Sequence, residues 1–353
     1  MQDRRYDIDW LRVITIGLLL IYHIGISFQP WASLIYFIQS PKPATWLWAP
    51  MAFLNIWRIP LLFFVSGMGV CFAMRQRNWK GLMLERSRRI FLPLVFGIVA
   101  LVPIHIFIFQ ANAGVSLKYM PDQGHLWFLT NIFVYTLILS PFFFLIKRHE
   151  NSRINQVVKN LMGHPLGIAV MMLLFMAEAY LLNPPIFEFY AQGNHGFFLG
   201  MLAFLFGYLM VYNGEAFWNL ILRVRWALLI LGIALFALRL LVMNLKSPLY
   251  LMSLESNIWV LTALAFGLKY LNRPSQALST LSQAAYPIYI IHMIWQYLGA
   301  KWIFSFELPS YVQWLMLMSF TFATCYLTYD LLIRRIPLIR PLFGLPYQQK
   351  KAS

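Results

Sequence analysis

Charge is scarce in this chain. Only 11% of its 353 residues are Asp, Glu, Lys or Arg, against about 25% in an ordinary soluble domain. Acid is scarcer than base, with 12 Asp and Glu against 28 Lys and Arg and a formal net charge of +16. There are two cysteines, Cys71 and Cys325, both inside apolar runs; this excludes a disulfide framework and any cysteine-based zinc site. The chain also lacks a glycine-rich phosphate loop, an HExxH helix and a serine nucleophile elbow, so none of the common soluble-enzyme mechanisms is signalled. No long Ser/Gly linker, repeat or low-complexity tract divides it, which predicts a single membrane domain over residues 1–353 with no appended soluble module.

What fills the space is apolar. Some 60% of residues are hydrophobic and 17% aromatic, too much for a water-soluble globule. Ten runs approach the roughly 20 residues needed to span a bilayer: 8–28, 46–74, 90–109, 125–146, 165–182, 195–212, 226–242, 251–270, 284–298 and 312–333. The expectation is an all-α polytopic bundle of about ten transmembrane helices. MQDRRYD before the first run looks like the start of a secretory signal, but no small-residue cleavage site follows, so the run reads as an uncleaved first helix.

The basic residues sort by side. With both termini placed inside, 22 of the 28 Lys and Arg fall in inside segments, four outside (Lys42, Lys118, Lys246, Lys301) and two, Arg58 and Arg239, within spans. That asymmetry orients the chain with both ends cytoplasmic and explains the net charge without nucleic acid. The last stretch, 334–353, carries Pro337, Pro341 and Pro346 and is expected to lie along the cytoplasmic face.

Ionisable groups inside spans each need a reason, because inserting one costs about 2.5–3.5 kcal/mol. Asp9 and Arg12 sit three apart at the start of the first run, and His23 follows Arg12 by eleven. At about 100° per residue, eleven positions return within roughly 20° of the same face, about 16 Å further along. Arg12 and His23 therefore look into one space at two depths. A cap with an interfacial anchor accounts equally for Asp9 and Arg12, and a packed, hydrogen-bonded histidine is the plain alternative for His23. In the second run, Arg58 lies mid-span before Pro60, Ser66, Gly67 and Gly69; helix packing explains the glycines as well as ligand access does, but not the arginine. The stretch RQRNWKGLMLERSRRIFLP follows. Its charges serve topology and lipid headgroups, or else Arg86 and Arg89, one helical turn apart, grip the phosphates of a nucleotide-bearing cofactor. His105, His125, His195, His292, Glu178, Glu188 and Glu255 fall in the middle or outer half of the spans and could line a wet cavity for a hydroxyl-rich substrate.

DIDWLRVITIGLLLIYH, WRIPLLFFVSGMG, RSRRIFLPL, GHLWFL and YPIYIIH occur in that order between residues 7 and 292. Together they resemble the acyltransferase 3 family of integral membrane enzymes, including its glucan biosynthesis succinyltransferase-like branch. The resemblance implies transfer of an acyl group, acetyl or succinyl, from cytoplasmic acyl-CoA to a hydroxyl of a carbohydrate or related acceptor at the outer face. It implies His23 as the catalytic histidine with Arg12 its partner, and Arg86 and Arg89 as donor-binding. It implies no metal, and a bacterial inner membrane as the setting. The chemistry adds Arg58 as donor to the oxyanion, with His125 or His292 as alternatives. His125, Glu178, Glu255 and His292 are expected to meet the acceptor. The competing reading is a proton-coupled transporter or flippase for a small anionic or polyol substrate using the same titratable groups; a non-catalytic scaffold is a third. Acyl group, acceptor and self-association into a homo-oligomer stay open.

Overall fold

The computed structural model describes residues 4–347; Lys350 and Lys351, counted above as inside charges, lie outside them. The described chain is helical, with no strand. In chain order the helices are α1 (Tyr6–Ile26), α2 (Trp48–Gln76), α3 (Trp79–Ala113), α4 (Trp127–Arg148), α5 (Arg153–Met162), α6 (Pro165–Leu182), α7 (Asn194–Tyr212), α8 (Glu215–Val242), α9 (Leu249–Leu271), α10 (Gln276–Ile303) and α11 (Ser310–Ile333). Among the described residues, nine have the length and apolarity to cross a membrane, and α10 is not one of the nine. Yet α10 is a continuous helix of 28 residues containing the expected run 284–298; Ser279, Ser282, Gln283, His292 and Gln296 lower its hydropathy.

Two boundaries differ from the hydropathy reading for physical reasons. The basic stretch before residue 90 is helical and continuous with the span, so α3 is 35 residues long. The short α5, capped by the Ser152 hydroxyl on the Asn155 amide (3.3 Å), was absent from the hydropathy reading because only one face is apolar, with Ile154 and Val157 exposed.

The helices form two compact units. The first holds residues 4–15, 52–84 and 131–275; the second holds 16–51, 85–130 and 276–347. In the first unit α8 packs along α9, which also meets α6, while α6 contacts α7 and α5. Here α2 and α7 interlock by reciprocal glycines: a Cβ on Gly67 would strike the Phe204 carbonyl, and one on Gly207 would strike the Phe64 carbonyl. In the second unit α10 packs along α11 and α3, around a core that includes Ile24, Phe28, Phe37, Met293, Tyr297 and Leu317.

Prolines inside membrane helices strand a carbonyl four residues earlier, and in hydrocarbon that carbonyl needs a new donor. Pro60 strands Ile56, which accepts from the Tyr190 hydroxyl (3.2 Å) in the first unit. Pro103 strands Val99, which accepts from the Tyr119 hydroxyl (2.9 Å) in the second. α3 itself loosens near its prolines into two π turns, Ser87–Phe91 and Gly97–Leu101, where Leu92 donates to Ser87 and Val102 to Gly97.

The glycine lock makes a direct prediction. Gly67→Ala and Gly207→Ala each force two backbones apart and should destabilise the protein by about 1–3 kcal/mol, read as a lower thermal midpoint in detergent. An unchanged midpoint in both would show that the helices do not rely on this approach.

Candidate active site

The second unit places His23 at the end of α1, where helix carbonyls lose their intrahelical donors. Ser27 turns back to Ile24 (3.1 Å), and the His23 carbonyl accepts from the Gln296 amide (2.7 Å), which also reaches the Ser27 hydroxyl (3.3 Å). With its backbone held, the half-buried His23 ring lies nearly parallel to His292, 19° apart with centroids at 5.1 Å. His23 Nδ1 and His292 Nε2 are 2.8 Å apart.

The proton positions follow from the partners. His292 Nδ1 is 2.7 Å from the Tyr289 carbonyl, which can only accept, so Nδ1 carries the proton and Nε2 of neutral His292 accepts. His23 Nδ1 is then the donor, and the basic nitrogen of the His23 ring is Nε2. These tautomers are assigned from the hydrogen bonds. Two further histidines continue the array: His125 meets His292 edge to face at 4.9 Å, and His105 meets His125 at 5.6 Å. His125 donates from Nε2 to the Ile290 carbonyl (3.1 Å) while its own carbonyl accepts from the Tyr289 hydroxyl (2.6 Å). Of the residues expected to act, the structure thus brings His23, His125 and His292 together.

At the basic end of this unit, Arg86 and Arg89 flank one carboxylate. Glu85 lies 3.4 Å from Arg86 and 3.3 Å from Arg89, two guanidinium groups to one acid. Arg89 is the more exposed of the two.

The first unit holds the other expected residues. Arg12 reaches Asp9 at 3.5 Å, and Arg4 shares that carboxylate at 3.0 Å. Arg5 forks onto Asp7 at 2.8 and 2.7 Å and lies 3.8 Å over the Trp218 ring. Arg4, Arg5, Arg12 and Arg75 line a cleft of about 360 Å³ together with Asp9, the one acid among its described lining residues, with Ile8 and Phe72 as its apolar wall. Base exceeds acid around it: four guanidinium groups face Asp9 and the Asp7 that Arg5 holds.

Buried charges elsewhere in this unit have protein partners. Arg239, 1% exposed, forks onto Glu255 at 2.7 and 3.0 Å, reaches Glu188 at 3.5 Å and donates to the Ala52 carbonyl at 3.2 Å. Burial raises the Glu188 carboxyl above its ordinary value, with Arg239 pulling the other way. Arg58, also buried, donates to Asn55 (3.1 Å), whose amide donates to the Glu188 carbonyl (3.2 Å). Glu178 pairs with His195 at 2.9 Å. Glu178 and Glu255, expected to meet an acceptor, therefore have buried protein partners.

Gln296, Arg4, Arg5 and Arg75 were not singled out in the sequence. Gln296 stands four residues after His292 and so on the same face, a signal that was there. Arg4, Arg5 and Arg75 carried no signal distinct from topology, and the Arg239 partners are distant in sequence.

A family model described as an acyltransferase domain matches residues 5–330, a range that runs through both units. The chain belongs to the acyltransferase 3 family. It is a multi-pass membrane acyltransferase, of the class that transfers groups other than amino-acyl groups. Neither a curated protein nor a solved structure matches the chain.

For this acyltransferase the role of Glu255 can be separated from its charge. Glu255→Leu leaves Arg239 with its longer contact to Glu188 and its bond to the Ala52 carbonyl and should cost about 3–5 kcal/mol, whereas Glu255→Leu with Arg239→Met should recover most of that. Thermal unfolding in detergent reads both; a stable single variant with lost activity would instead place Glu255 at a substrate.

Proposed function

We propose that this acyltransferase moves an acyl group, acetyl or succinyl, from acyl-CoA on the cytoplasmic side to a hydroxyl of a carbohydrate or related polyol at the outer face. The observation that carries the reading is the chain Tyr289 carbonyl, His292, His23, which orients one imidazole with Nε2 as its basic nitrogen. Acyl transfer from a thioester to an alcohol needs such a base, and imidazole, with an unperturbed pKa of about 6.5, suits neutral pH.

In the proposed step the acceptor oxygen bonds to the thioester carbon as His23 Nε2 takes the hydroxyl proton. The carbon–sulfur bond then breaks and the proton passes from His23 to the departing thiolate, so no net charge is left on the histidines. His292 acts as the orienting partner: it fixes the ring and tautomer of His23 and accepts from its Nδ1–H while the ring is cationic. Arg58 remains the candidate for the oxyanion on chemical grounds. His125 is a candidate contact for the acceptor.

The donor is anionic, and two basic sites suit it. Arg12 in the four-arginine cleft and the Arg86/Arg89 pair are assigned to CoA phosphates. Glu178 and Glu255 enter only through their partners, His195 and Arg239. The bacterial inner membrane is the proposed setting.

Release of CoA thiol from acetyl-CoA and succinyl-CoA by the purified protein tests this. His23→Ala should lower turnover by about 10²–10⁴-fold with the thermal midpoint retained, and His292→Ala by a smaller factor. Full turnover in a folded His23→Ala protein would overturn the assignment.

A further inference from the structure

The family match ends at residue 330, but the chain beyond it is a built part of the second unit. Asp330 accepts from Arg334 (2.9 Å) and Arg335 (3.4 Å) as α11 ends. The tail then closes a short turn, Arg340–Phe343, and Gly344 follows with φ +71°. Arg340 is 6% exposed. Its Nε donates to the Pro346 carbonyl (2.8 Å) and its Nη1 to the Arg334 carbonyl (3.0 Å), so the buried guanidinium stitches the tail to itself. A buried cation is costly without such partners, which marks the turn as a specified structure and not a loose end.

The turn is seated on the helix that carries Arg86 and Arg89. Phe343 packs edge to face on Phe96 of α3 at 5.6 Å. A Cβ at Gly344 would strike the Tyr286 ring of α10 and stand 2.9 Å from the Arg89 carbonyl oxygen. Arg89 lies in the first π turn of α3, and Pro93, four residues on, has no N–H to offer its carbonyl. A π turn interrupted in this way is a poorer helix than its neighbours. Something must hold its geometry, and Gly344 abuts the carbonyl that Pro93 leaves without its usual donor. The Tyr286 hydroxyl is sealed from solvent with no hydrogen-bond partner among the described residues, and what Gly344 faces there is the ring.

We propose that the Arg340–Gly344 turn is a positioning element of the donor site: wedged against the Arg89 carbonyl and the Tyr286 ring, it holds the π turn that aims Arg86 and Arg89 at the donor phosphates. The proposal rests on the donor role assigned to those two arginines. It explains why a glycine in a left-handed conformation stands at the contact. Any side chain there meets both the backbone restriction and the ring.

The test is binding of CoA itself, the part common to every acyl-CoA, to the purified full-length protein by calorimetry, beside the thermal midpoint without CoA. Gly344→Ala pushes on the π turn, and Arg340→Ala loosens the tail without touching it. Each should weaken CoA binding about tenfold, while Arg340→Lys, which keeps a donor for the tail carbonyls, should restore most of the loss. Arg89→Ala is the reference. If Arg89→Ala weakens CoA binding while both tail variants bind as the parent does, the tail proposal alone falls. If Arg89→Ala binds CoA normally, or the parent binds none, the donor reading falls and the tail proposal with it. Tail variants with lowered midpoints but parental CoA affinity would make the turn purely structural and overturn the proposal. Should Gly344→Ala fail to fold, the Arg340→Ala and Arg340→Lys pair still decides it.

Discussion

One hydrogen bond between two neutral imidazoles organises the second unit. At 2.8 Å, two ring nitrogens that both carried protons, or both lacked them, would repel. The contact therefore demands one donor and one acceptor, and the Tyr289 carbonyl decides which is which. The surrounding structure maintains that separation. Gln296 anchors the His23 backbone, Tyr297 donates to the Tyr36 carbonyl in the loop after α1 (2.7 Å), and Phe37 closes edge-on against the His23 ring at 5.8 Å. The polar residues this requires on α10 help explain why that helix, though long enough to span, is the one least suited by hydropathy.

Burial makes the same demand of the charges in the first unit. Arg239 is an expensive residue at 1% exposure, and its fork onto Glu255 with Glu188 behind makes it tolerable. Glu255 and Glu178 likewise each have a buried protein partner. In hydrocarbon much of the polar inventory is consumed by partners that keep helices in register. The cleft lined by Arg4, Arg5, Arg12 and Arg75 is the exception, because there base exceeds acid.

Helix number was legible because hydropathy is a local property. The five ordered motifs indicated the family, whose match covers residues 5–330. What was not legible is pairwise and distant. His292 meets His23 across 269 residues and Arg239 meets Glu188 across 51, and no periodicity connects them. The start of α3 was hidden for a different reason: charges that depress hydropathy do not stop a helix, so the stretch bearing Arg86 and Arg89 is helical from Trp79. The tail after residue 330 had only its prolines to offer. Its order comes from a glycine, a buried arginine and the carbonyl contacts they make.

The central claim is that His23 donates from Nδ1 to His292 and keeps Nε2 as the base. Nitrogen-15 magnetic resonance of histidine-labelled protein in a bilayer, with His23 assigned by difference from His23→Ala, observes this directly. The account predicts a neutral His23 protonated on Nδ1, with a nitrogen-to-nitrogen coupling to His292 across the hydrogen bond. A His23 protonated on Nε2, with no coupling between the two rings, would contradict it.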